Sequence, residues 1–108
     1  MGSVTARARF EIPHDQLAGF CRRKGVRKLS LFGSVLTDRF TDSSDVDVLV
    51  EFSPGQRAGY LYMAAMEREL SAMFGSRRID LRTPRELSPW FREEVIAASL
   101  IQYEATAV

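Results

Sequence analysis

A single cysteine, Cys21, leaves no way to close a disulfide within the chain. That suits a reducing compartment, and a cytoplasmic location is expected. No apolar run approaches the roughly 20 residues needed to span a bilayer, so no membrane role is expected. Residues 1–10 carry Arg7 and Arg9 but no apolar stretch, so they do not read as a secretory signal. They are expected to be a flexible or expression-derived tail. Charge of one sign is also scarce: 15 basic against 14 acidic residues give a net +1. That balance argues against a nucleic-acid binder working by bulk electrostatics. Repeats and low-complexity tracts are absent.

What is present fits one domain spanning 1–108, with 45% hydrophobic and 27% charged residues. A chain of this size buries roughly two-thirds of its unfolded surface, enough for one modest core. Leu17, Phe20 and Cys21 form an apolar stripe that predicts a helix over Pro13–Lys24. Arg22, Arg23 and Lys24 suit its negative end, Gly25 suits its cap, and Cys21 reads as a buried structural thiol. A strand is expected at Lys28–Phe32, then a short helical turn and loop over Val35–Ser44, and a second strand at Asp45–Phe52. A longer helix over Gly59–Phe74 would bury Met63, Met66, Leu70 and Met73/Phe74. A third strand is expected at Arg77–Arg82, with Thr83 capping a turn at Pro84. A closing helix opened by Ser88-Pro89 would carry Trp90, Phe91, Val95, Ile96 and Leu100. The order predicts an α/β fold, a small mixed sheet packed against helices.

Strand alternation sorts the chemistry. Val46, Val48, Val50 and Phe52 point one way, and Asp45, Asp47, Leu49 and Glu51 the other. Aspartate is a poor strand former, so two of them need a reason. Two anions about 4 Å apart repel by about 4 kcal/mol at an effective dielectric of 20. Either the pair caps a solvent-facing strand start, or it collects a hard divalent cation, Mg²⁺ or Mn²⁺. Asp80 shares a strand face with Arg78 and Arg82, opposite Ile79 and Leu81. If the two strands are neighbours, Asp80 joins Asp45 and Asp47 in a phosphoryl-transfer site whose arginines neutralise phosphate charge. Otherwise Asp80 simply pairs with an arginine. Gly33-Ser34, at the end of the first strand, would let a backbone approach phosphate closely.

Gly33-Ser34, ten intervening residues, then Asp45-Val46-Asp47 resembles the signature of the DNA polymerase beta-like nucleotidyltransferase superfamily. The runs Leu31–Ser34 and Ser44–Phe52, with Ile79-Asp80-Leu81 and Thr83-Pro84, look like its minimal nucleotidyltransferase (MNT) branch. The resemblance implies that Asp45 and Asp47 bind the metals that carry ATP. It implies further that Asp80 completes the catalytic metal site, and that Gly33 and Ser34 hold phosphates. Many relatives carry a basic residue soon after Gly-Ser. Here Val35, Leu36 and Thr37 are uncharged, and Arg39 is the first arginine available to a phosphate. MNT proteins are often encoded with a HEPN-type toxin, which some neutralise by adding AMP. The resemblance therefore implies an ATP- and Mg²⁺-dependent adenylyltransferase and antitoxin. A catalytically silent antitoxin acting by occlusion is the alternative, and transfer to a small molecule fits less well without an acceptor domain. A homo-oligomer is compatible with the sequence, whereas a nucleic-acid template is not expected.

Overall fold

The computed structural model describes residues 10–105. The expectation for the N-terminal tail falls outside these, apart from Phe10, which packs on Phe40 and Phe74 at centroid distances of 6.0 and 5.4 Å. Helix α1 spans His14–Lys24, buries Leu17, Phe20 and Cys21, and ends at Gly25 with φ 73°. Strand β1 (Val26–Phe32) follows at once, and a 3-10 turn, Gly33–Leu36, leads into the loop before β2 (Val46–Phe52). Helix α2 (Tyr60–Met73) crosses to β3 (Ile79–Arg82). A 3-10 turn at Pro84–Glu86 precedes α3 (Arg92–Ala98) and β4 (Leu100–Glu104).

The sheet order is β3-β2-β1-β4. The β2–β3 pair is parallel, as a helical crossover requires, and β1 runs antiparallel to both β2 and β4. The sheet is therefore mixed, as expected. The main core lies on one face. Val46, Val48 and Val50 join Leu29, Leu31 and Leu81 there, under the stripes of α1 and the Met66, Leu70 and Phe74 side of α2. Met63 and Met73 pack at its margin.

The C-terminal region departs from expectation. The closing helix is a single short element, Arg92–Ala98, and none of its residues is fully buried. Trp90 and Phe91 precede it and are 87% and 60% exposed, so they are not core. Ser99 ends the helix: its N–H and hydroxyl both donate to the Ile96 carbonyl, and its ψ of 151° sends the chain into extended backbone. Leu100 then belongs to β4, where it pairs with Leu31. Pairing with the free edge of β1 satisfies a row of backbone groups that a longer helix would leave open. The second sheet face is also less open than alternation alone implies. Leu49 and Leu87 are buried outside the main core, where the turn at Pro84–Glu86 contacts β2 and α3 contacts β1.

Candidate active site

The second sheet face carries the acids. Asp47 on β2 is the register partner of Asp80 on β3 and, on its other side, of Phe32 on β1. Cross-strand partners point to the same face, so the two carboxyls stand side by side next to a phenyl ring. Burial first, then the charges of Asp80 and Asp45, push the Asp47 carboxyl up to about 6, while Arg82 acts in the opposite direction. That is the pattern of a half-buried acid with two others close by.

Gly33 completes the pocket around Asp47. Its φ is 78°, and a Cβ there would overlap Oδ2 of Asp47. Only glycine allows both the left-handed turn and the close approach to that carboxylate. Ser34 follows in the same turn, half-buried, its carbonyl accepting from the Thr37 N–H and hydroxyl, each at 2.9 Å.

Asp45 sits just before β2 and turns aside. Arg78 Nε lies 2.9 Å from its Oδ1, and the Arg78 carbonyl accepts the Val46 N–H at 2.8 Å. Arg82 likewise holds Asp80, with its Nη2 3.2 Å from Oδ2. The structure thus contains both arrangements the sequence left open for Asp80, a place beside Asp47 and an arginine partner. Among the described residues, no three His, Cys, Asp or Glu side chains are gathered as a metal cluster. Asp47 and Asp80 are brought together, and Asp45 is near enough to act on Asp47 but faces Arg78. Both ion pairs are substantially solvent-exposed, so a ligand can displace either arginine at small cost.

The loop leading to Asp45 is pinned from behind. Arg77 lies against both the Phe10 and Phe40 rings, 4.8 and 5.1 Å from their centroids, and 3.7 Å from Asp42. Ser44 Oγ accepts the Thr41 N–H at 3.0 Å within the loop. Arg39, by contrast, is exposed, and among the described residues its side chain is paired with none of the three acids. Sequence reasoning missed the Arg78–Asp45 pair and the Phe32 wall. The second had a signal in the aromatic residue directly before Gly33; the first depends on the parallel pairing of β2 with β3.

A four-stranded mixed sheet with a glycine turn against paired aspartates defines a class of phosphoryl-handling domain, and comparison gives that class its family. Residues 14–103 match the model of the nucleotidyltransferase domain, and the chain belongs to that family. Its fold is that of the minimal members. A solved structure described as that of a "putative minimal nucleotidyltransferase" is 30% identical, with a TM-score of 0.66 over 81% of this chain and 86% of that one. A Methanocaldococcus jannaschii protein named "putative protein adenylyltransferase" is 28% identical over 74 residues, 68% of this chain and 76% of that protein. A toxin–antitoxin structure with AMP-PNP shares the fold at TM-score 0.68 and 17% identity, over 87% of this chain and 75% of that chain.

Proposed function

We propose that this nucleotidyltransferase moves AMP from ATP to a hydroxyl of a protein partner, a HEPN-type toxin, and so acts as its antitoxin. The observation that carries the reading is the register of Asp47 with Asp80, with Gly33 closed against Asp47. The adenylyltransferase name of the archaeal relative and the AMP-PNP and toxin of the structural neighbour support the choice of nucleotide and partner.

The donor set fits Mg²⁺, since all the candidate ligands are carboxylate oxygens and their mutual repulsion is what a cation relieves. Asp47 would hold the cation that carries the triphosphate, joined by Asp45 once released by Arg78, and Asp80 would complete the site on the acceptor side. Bound there, the cation would supply charge neutralisation for the triphosphate. The chain's own groups do the rest. Gly33 and Ser34 offer the turn that receives phosphate oxygens. Arg78 and Arg82, released from the acids, offer bidentate donors to the triphosphate, and Arg39 can add a further charge at the rim. Asp80 accepts the proton of the acceptor hydroxyl as its oxygen bonds to the α-phosphorus of ATP and pyrophosphate departs.

The second reading, a silent antitoxin that binds and occludes its partner, is favoured by one observation. Arg78 and Arg82 already neutralise Asp45 and Asp80. The two readings differ at Asp80. Asp80→Ala should keep much of the Mg·ATP affinity, read by calorimetry, yet lose AMP transfer by at least about a hundredfold. Transfer is read as a mass shift of one or more AMP on a toxin that purifies with the chain. A partner whose mass never changes, and which Asp80→Ala still neutralises, would establish occlusion instead.

A further inference from the structure

The loop that carries Asp45 into β2 is held at both ends by neighbouring arginines. Arg78 takes the Asp45 carboxylate, while Arg77 lies against Phe40 and near Asp42 at the other end. We infer that Arg77 is a positioning residue of the metal and nucleotide site, acting through residues 40–44 on Asp45. The inference rests on the nucleotidyl-transfer reading and adds to it a residue that pairs with none of the three acids.

Three observations support it. The first is the route. The Thr41 N–H donates to Ser44 Oγ and the Ser44 N–H donates to the Thr41 carbonyl, each at 3.0 Å, so residues 41–44 form a closed turn. That turn joins Phe40 to Asp45, and a shift of the ring is passed on to the carboxylate. The second is the looseness of Asp45 itself. Asp47 is fixed by strand pairing on both sides. Asp45 precedes β2, and its side chain is held by one solvent-exposed ion pair, which constrains it little. Asp45 therefore stands where the loop puts it. The third is the placement of the charge on Arg77. Its side chain is only 21% exposed, yet Asp42 Oδ1 lies 3.7 Å from Nη2, beyond hydrogen-bond length. The Nη1 atom is buried with no hydrogen-bond partner among the described residues. A buried donor left unmade costs the fold, and an apolar side chain of similar length would fill the space without that cost. The charge thus serves the hold on the Phe40 ring, a cation–π contact, rather than the stability of the core.

The test sets stability against affinity, using urea unfolding and calorimetric titration of Mg·ATP. Arg77→Met keeps the length of the side chain and removes its charge. It should unfold at the wild-type urea midpoint or above, yet bind Mg·ATP about fivefold or more weakly. Arg77→Lys keeps a cation against the rings and should bind within about twofold of wild type. Phe40→Leu removes the ring and should reproduce the loss. Combined with Arg77→Met, it should bind no more weakly than the weaker of the two single variants. Unchanged affinity in Arg77→Met would overturn the inference. So would affinity and stability lost together, which would make Arg77 a structural residue. Losses that add in the double variant would overturn it because the two side chains would then act by separate routes. An Arg77→Lys as weak as Arg77→Met would do the same, since the cation would not be what holds Phe40. A wild type that binds no Mg·ATP refutes the nucleotidyl-transfer reading and the inference with it.

Discussion

A carboxylate that is half-buried and held beside other carboxylates, as Asp47 is beside Asp80, costs the folded chain stability at neutral pH. An acid whose folded pKa is raised stabilises the fold below its unfolded value, and that contribution is lost as pH rises through the folded value. For Asp47 the window runs from 3.8 to about 6. Asp47→Asn should therefore be more stable than the wild type at pH 7.5, by about 1–2 kcal/mol once the shift is discounted for a half-exposed group. At pH 3, below that window, the two should unfold at the same urea midpoint. Glu69, held below its ordinary range chiefly by its bond to Arg23, acts in the opposite sense but equally in both proteins. The variant should gain nothing from Mg²⁺ and ATP. A marked loss of stability at pH 7.5 would instead assign Asp47 a structural hydrogen bond. The pairing itself was only conditionally legible. Alternation put Asp47 and Asp80 each on an acid-bearing face, but adjacency of the two strands was an assumption until the sheet order was known.

At the scale of elements, legibility follows periodicity. The stripes of α1 and α2 were read correctly because helical spacing of Leu17, Phe20 and Cys21, and of Met66 and Leu70, leaves little choice about the buried face. The region from Trp90 to Leu100 misled because its apolar residues are dense enough to satisfy a helix at any phase. What ends the helix is the local bonding of Ser99, and what makes a strand of Leu100–Glu104 is the free edge of β1. The opposite edge has its own protection. The Leu81 N–H on β3 donates to Glu67 Oε2 of α2 at 3.0 Å, a bond between elements that no local pattern announces. Part-buried bonds to a charged acceptor contribute about 1.5–3 kcal/mol, and exposed backbone N–H groups on an edge invite misassembly. Glu67→Ala should destabilise the chain by about 1–2 kcal/mol in urea unfolding, with Glu67→Gln recovering part of it. A neutral Glu67→Ala would show that water replaces the carboxylate without cost.

For the molecule as a whole, Cys21 reports on the integrity of the core. Its side chain is fully buried, and burial pushes its thiol up to about 12. The thiolate is the reactive form, so native Cys21 should resist alkylation. Iodoacetamide labelling at pH 8 should be at least about a thousandfold slower in buffer than in denaturing urea, its rate tracking global unfolding. Rapid labelling of native protein would mean that α1 opens independently of the sheet.

Among the described residues no helix is long and apolar enough to cross a membrane, in keeping with the short apolar runs of the sequence. The sequence by itself determined the α/β class, the buried faces of α1 and α2, and the identity of the acids. Those follow from periodicity and from the chemical oddity of aspartates in a strand, both of which are local. Tertiary structure decided the rest. It set Asp47 against Asp80 through a parallel pairing across a helical crossover, and it gave Asp45 and Asp80 arginine partners. It left Arg39 unengaged with the three acids and added β4. Each of those depends on which strand edges meet, and edge pairing is chosen by competition among all the backbone groups of the chain rather than by any one segment.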